Sequence, residues 1–115
     1  MNAEKLTKKS LWCLQQAQSI SISKGSQQIA PEHLLLAMLE GNDSLTANVL
    51  LRCGVNVESF REEVERLADK IPSVSGSGRE PDKVYISPVT DKILSASEKI
   101  AADMKDEYVS VEHIL

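Results

Sequence analysis

The feature that most constrains the fold is a self-similarity of the chain at an offset of 80 residues. Residues 6–35 align without a gap on residues 86–115, and Glu32-His33-Leu34-Leu35 falls on Glu112-His113-Ile114-Leu115. The apolar positions and the helix-capping residues keep the same register, which is typical of a duplicated helical unit. The sequence therefore predicts an all-α, pseudo-duplicated helical repeat domain over residues 1–115, with the second repeat truncated.

The apolar spacing predicts five helices and the start of a sixth. Their starts are marked by capping side chains or by an early proline, at Thr7, Pro31, Ser44, Asn56, Ser87-Pro88 and Ser110. The second helix is apolar on nearly every side and is expected to be central and buried. We place repeat one at about residues 1–71, a Gly- and Ser-rich linker at about 72–86, and a partial repeat two at about 87–115.

Composition excludes several functions. Net charge is −4 and aromatic residues make up 3% of the 115 residues, so neither phosphate-backbone binding nor base stacking is expected. The sequence lacks a phosphate-binding loop, a signal peptide and an apolar run long enough to cross a membrane. Cys13 and Cys53 are interpreted as reduced thiols of a buried core. These features predict a cytoplasmic protein without nucleic-acid or membrane partners.

The two Glu-His pairs are the only features that suggest catalysis or metal binding. Neighbouring residues of a helix point in different directions, and no His-Glu-x-x-His pattern is present. We therefore interpret His33 and His113 as packing or hydrogen-bonding residues near the core. No catalytic residue and no metal ligand is predicted.

The repeats resemble the N-terminal domain of the Clp family of AAA+ unfoldases. The resemblance rests on Ile29-x-x-Glu32-His33-Leu34-Leu35 and on the matching run that begins at Val109. The opening residues 1–7 and the linker Ile71-Pro72-x-Val74-x-Gly76-x-Gly78 are similar to the protein-disaggregase branch of that family. Trp12-Cys13 departs from the usual pattern, and the helices expected after the second Glu-His pair are absent.

The resemblance implies a segment without catalytic activity that engages unfolded or aggregated polypeptides and passes them to an AAA+ motor. The parent chain would be an ATPase that uses ATP and magnesium, acts as a homohexamer and works with a DnaK-type chaperone system. The segment itself would need no cofactor and would be a monomer when isolated.

Six residues are predicted to contact polypeptide clients. The resemblance assigns three polar positions, Thr7, Asp106 and Glu112, to the region that handles clients. Recognition of unfolded chains also requires exposed apolar surface. This requirement adds Leu94, Ala96 and Tyr108, on or beside the fifth helix. The place of Leu94 in the apolar period of that helix also fits a residue that packs in the core.

Two alternatives remain open from the sequence. The chain could be the adaptor-binding N-terminal domain of a ClpA- or ClpC-type unfoldase that feeds a peptidase, although the linker residues argue against that branch. It could also be a free-standing helical protein-interaction module. Thr7 can cap its helix and contact a partner at the same time, so a capping role does not exclude a binding role.

Overall fold

The computed structural model describes residues 3–40, 44–71 and 85–115. The helices in these ranges are α1 (Lys8–Ser23), α2 (Pro31–Leu39), α3 (Leu45–Arg52), α4 (Val57–Asp69), α5 (Pro88–Asp103) and α6 (Val111–Ile114), with a short 3₁₀ turn at Ala3–Lys5. Two short strands, β1 (Gln28–Ile29) and β2 (Tyr85–Ile86), pair in parallel. The all-α class is confirmed. The linker prediction falls mostly outside the described residues, and the repeat boundaries stay predictions.

Side-chain caps begin four of the helices, as the sequence predicts. The hydroxyls of Thr7, Ser44 and Ser87 accept hydrogen bonds from backbone N–H groups three residues later, over 3.1–3.2 Å. The amide oxygen of Asn56 does the same for α4. Each cap satisfies one of the N–H donors that a helix N-terminus leaves unpaired, which fixes where the helix begins.

Helix α2 lies at the centre of the structure, as its all-round apolar character predicts. It packs against α1, α3 and α4. One core cluster joins Ala37 and Met38 of α2 to Cys13 and Ala17 of α1 and to Leu94 of α5. A second cluster joins α2 to α4. Burial of these aliphatic side chains is the main favourable contribution to folding, at about 25 cal/mol per Å² of apolar surface.

The strand pairing was missed by the sequence analysis, and it shows how the two halves interlock. Ile29 pairs with Ile86, and an isolated parallel bridge joins Leu6 to Val109. The 80-residue offset relates Ile29 to Val109 and Leu6 to Ile86, so the two pairs join equivalent positions of the two halves. The N–H of Ser87 donates to the carbonyl of Ile29 over 3.2 Å, and the N–H of Thr7 donates to Val109 over 3.0 Å. The pseudo-duplicated fold is therefore confirmed.

The two long helices α1 and α5 end in the same motif. The residue after each helix cap has a positive φ, 77° at Gly25 and 62° at Lys105. The next N–H reaches back over 2.8 Å in both cases, to the carbonyls of Ser21 and Ala101. This is a Schellman ending, in which glycine is the usual residue because side chains strain the left-handed conformation. Helix α5 thus ends at Asp103.

The cysteine prediction holds for one residue only. Cys13 is buried in the core, whereas Cys53 is exposed at the C-terminal cap of α3. Helix α3 is short, and Thr46 is its single buried residue. Its last turn therefore faces solvent rather than the core.

The left-handed Lys105 predicts a stabilising substitution. Lys105→Gly is expected to raise the free energy of unfolding by about 0.5–1 kcal/mol, because relief of strain exceeds the extra entropy of the unfolded chain. Urea unfolding followed by circular dichroism measures this change. Gly25→Ala is the matched control and should destabilise the chain. A Lys105→Gly variant no more stable than the parent would show that this backbone is not strained.

The buried His33 predicts a pH dependence of stability. Burial lowers the pKa of His33 from its ordinary value of 6.5; the Glu32 carboxylate opposes that shift and the Lys24 ammonium reinforces it. The unfolded chain therefore takes up this proton at higher pH than the folded chain. The corresponding stability is complete above pH 6.5 and is lost as the pH falls from there toward the folded-state pKa.

We expect the free energy of unfolding to fall between about pH 7.5 and about pH 5.5, and to fall less in His33→Gln. Glutamine at the third helical position can still accept the N–H of Ala30, as His33 Nδ1 does over 2.9 Å, but it does not titrate. Urea unfolding at both pH values gives the comparison. An equal loss of stability in parent and variant would contradict the assignment to His33.

Candidate functional site

A small cavity of about 130 Å³ opens where the N-terminal ends of α1, α3 and α6 meet. Its apolar wall is formed by Cys13, Met38, Leu45 and Val111, and its polar wall by Thr7, Lys9, Ser110 and Glu112. An apolar cavity of about 150 Å³ can hold a benzene ring. The space therefore suits one aliphatic or small aromatic side chain rather than an extended small molecule, which needs about 300 Å³ or more.

Both halves of the chain build this cavity. Thr7 precedes α1, and its backbone N–H is bound to the carbonyl of Val109 in the second half. The Thr7 hydroxyl accepts the N–H of Ser10 over 3.2 Å and lies 3.0 Å from the Ser10 hydroxyl. Thr7 is therefore both a helix cap and a residue of the cavity lining.

Opposite charges flank the opening. Lys9 lies over the indole of Trp12, with its ammonium 4.3 Å from the ring centroid, a cation–π arrangement that restrains the lysine. Glu112 stands in the first turn of α6. Hydrogen bonds from the Ser110 hydroxyl and from its own backbone N–H lower the pKa of Glu112. The cavity therefore carries a held cation and a held carboxylate.

Asp106 lies outside this lining and contacts it indirectly. The Nε2–H of His113 donates to Asp106 Oδ2 over 2.8 Å, and Nδ1 of the same ring accepts the N–H of Ser110 over 2.9 Å. The imidazole is buried, whereas the carboxylate is about half exposed. His113 thus has the hydrogen-bonding role that the sequence analysis expects, and it joins Asp106 to α6.

The three remaining predicted site residues are placed apart from the cavity. Leu94 is 2% exposed and belongs to the core, so a client cannot reach it without opening the fold. Ala96 is exposed on α5, and Tyr108 is half exposed in the turn before α6. The structure brings Thr7 and Glu112 together, connects Asp106 to them, and does not gather the other three.

Six of the eight residues that line this cavity were not predicted as site residues, namely Lys9, Cys13, Met38, Leu45, Ser110 and Val111. Leu45 is 41% exposed at the first position of α3, and Met38 closes the wall from α2. A leucine directly after a cap such as Ser44 is a signal that could have been used, because the first helical turn commonly faces a neighbouring element. Its actual neighbour, α6, comes from the other half of the chain.

The thiol in the cavity wall is not activated for nucleophilic attack. Burial raises the pKa of the Cys13 thiol; the Lys9 charge opposes that shift and Glu40 reinforces it. A protonated thiol is a poor nucleophile. In the part of the chain that the structure describes, no three metal-binding side chains cluster, and no helix is long and apolar enough to cross a bilayer.

Residues 5–115 match the Clp repeat (R) N-terminal domain family. The chaperone protein ClpB of Porphyromonas gingivalis is 42% identical over 115 residues, which are 100% of this chain and 13% of that protein. ClpB of Bacillus cereus is 36% identical over the same length, again 13% of the relative. The chain thus spans about an eighth of the curated relatives that it matches.

Solved structures share the fold. The N-terminal domain of Hsp104 from Candida albicans superposes with a TM-score of 0.81 at 24% identity, covering 96% of this chain and 70% of that one. The N-terminal domain of the ClpV1 ATPase from E. coli gives 0.82 at 20% identity, covering 96% and 65%. The match lies in the N-terminal domain and not in a catalytic AAA+ module. On the family match and the identity to ClpB, the chain belongs to the Clp repeat N-terminal domain family.

Proposed function

We propose that this chain is the polypeptide-engaging N-terminal domain of a ClpB-type, ATP-dependent protein disaggregase. The observation that carries the proposal is the cavity between α1, α3 and α6. It combines an apolar wall with a polar rim and has room for one side chain. It also opens beside the exposed Leu45. Unfolded polypeptides present isolated aliphatic side chains without fixed shape, and this is the feature that such a cavity can accept.

The small size of the cavity predicts weak and permissive binding. One buried aliphatic side chain contributes about 1.5–3 kcal/mol, and ordering of the client opposes part of that gain. A domain that samples many aggregated proteins and releases them to a motor requires weak binding of this kind. Tight binding would retain the client at the domain.

The parent chain is part of the same proposal. It would be a homohexameric AAA+ ATPase, with ATP and magnesium bound in modules beyond this segment, and would act with a DnaK-type chaperone system in the cytoplasm. This segment would hand unfolded or aggregated clients to the motor and would itself be monomeric without cofactor. The identity to ClpB over the whole chain supports this assignment.

A substitution in the cavity wall tests client binding. Leu45→Ser is expected to weaken binding of a carboxymethylated, permanently unfolded polypeptide by about three- to tenfold, because it removes about 1 kcal/mol of apolar contact. Titration of the ¹⁵N-labelled chain, followed by amide chemical shifts, gives the affinity and locates the site. We expect shifts at Thr7, Leu45 and Glu112.

Leu67→Ser is the matched control. Leu67 is 44% exposed on α4 and lies outside the cavity lining, so the same change there should leave the affinity unaltered. Equal weakening in both variants, or shifts that avoid the cavity, would refute the site. If the unsubstituted chain binds a folded adaptor but not the unfolded polypeptide, the result would favour the ClpA- or ClpC-type alternative.

A further inference from the structure

A series of hydrogen bonds connects Asp106 with the rim of the cavity. Asp106 Oδ2 accepts the Nε2–H of His113 over 2.8 Å, and His113 Nδ1 accepts the N–H of Ser110 over 2.9 Å. The Ser110 hydroxyl lies 3.1 Å from the same ring nitrogen, and hydrogen bonding by this hydroxyl lowers the pKa of the Glu112 carboxyl group two residues later. An exposed carboxylate in the turn after α5 is thereby joined, through one buried ring and one hydroxyl, to a carboxylate at the cavity.

The first half of the chain builds the same helix start without these partners. His33 accepts the N–H of Ala30 over 2.9 Å, as His113 does with Ser110. Position 26, the equivalent of Asp106, is a serine whose hydroxyl bonds to the carbonyl of Gln28. Among the described residues, His33 Nε2 has no hydrogen-bond partner. The fold therefore forms this helix start in the first half without a carboxylate, so the bond from His113 to Asp106 is an addition of the second half.

The N-cap residues of α2 and α6 also differ, and again only the second half has a polar side chain at this position. Ala30 has no hydroxyl, so Glu32 cannot receive the bond that Ser110 gives to Glu112. The second half thus contains three linked additions: the carboxylate of Asp106, its bond to His113, and the hydroxyl of Ser110. All three lie on the side of the structure where Glu112 lines the cavity.

We propose that Asp106 and His113 are positioning residues of the cavity, which fix Ser110 and through it hold the Glu112 carboxylate at the rim. Asp106 then acts on a client through α6 and does not touch it. The consequence for binding rests on the proposed function of the cavity, whereas the positioning itself is a property of the folded chain. A fixed carboxylate beside an apolar cavity favours client segments that place a hydrogen-bond donor next to an aliphatic side chain.

Asp106→Ala and Asp106→Asn form a matched pair for the test. Both remove the charge, and only asparagine keeps an oxygen that can accept the His113 Nε2–H. In the unsubstituted chain, the negative charge of Asp106 raises the pKa of Glu112. Removal of that charge alone is therefore expected to lower this pKa. A higher pKa in the alanine variant than in the asparagine variant therefore isolates the lost acceptor from the lost charge.

The measurement is the pH titration of the Glu112 side-chain carboxyl by NMR, together with the affinity for the carboxymethylated polypeptide. We expect the pKa of Glu112 to be higher in Asp106→Ala than in Asp106→Asn. We also expect binding to be about fivefold weaker in the alanine variant and close to the parent in the asparagine variant. In a Ser110→Ala background the difference between the two variants should vanish, because the last link is gone.

Each other outcome has a distinct meaning. Identical titration of Glu112 in the two variants would overturn the positioning role. Equal loss of binding in both variants with identical titration would instead make Asp106 a direct charge contact. If the unsubstituted chain fails to bind polypeptide, the proposed function is wrong. The titration of Glu112 would still decide whether Asp106 has the positioning role. Should Asp106→Ala lose its far-ultraviolet dichroism, Asp106→Val, which also lacks an acceptor, replaces it.

Discussion

Two short backbone pairings between the halves of the chain hold the rest of the structure in place. Ile29 pairs with Ile86, and Val109 pairs with Leu6. Each pairing joins the residues before a Glu-His helix of one half to the residues before the long helix of the other. The second pairing therefore sets the beginnings of α1 and α6 side by side. The cavity lies where these two helix starts meet α3, so its geometry follows from the pairing.

The repeated Glu-His pair has a physical explanation in this arrangement. The histidine at the third helical position reaches back to the N–H before the helix, at Ala30 and at Ser110, and it is buried in both places. Glutamate is the usual residue for that bond, but burial of its charge would be costly. A neutral imidazole caps the helix and fills the core. The preceding glutamate stays outside, at the positive end of the helix dipole.

The sequence predicted what depends on local chemistry. Caps such as Thr7 and Ser87, the burial of α2 and the duplicated plan all follow from spacing of a few residues or from self-comparison. What was missed depends on contacts between distant segments. The pairing of Ile29 with Ile86 involves two residues per strand, too few to show an alternating pattern. Leu94, one of the predicted client contacts, packs in the core against residues of the first half, as its place in the apolar period of α5 also indicates.

The departures from internal symmetry carry more information about function than the symmetry does. After α1 the positive φ is taken by Gly25, which adopts it without strain. Lys105 accepts strain at the equivalent place, and the next residue is Asp106, which bonds to His113. Strained backbone persists where the surrounding contacts determine it more strongly than local preference does. The turn after α5 is therefore held by its hydrogen bond to α6, and the duplicated fold has a distinct chemistry on one of its two sides.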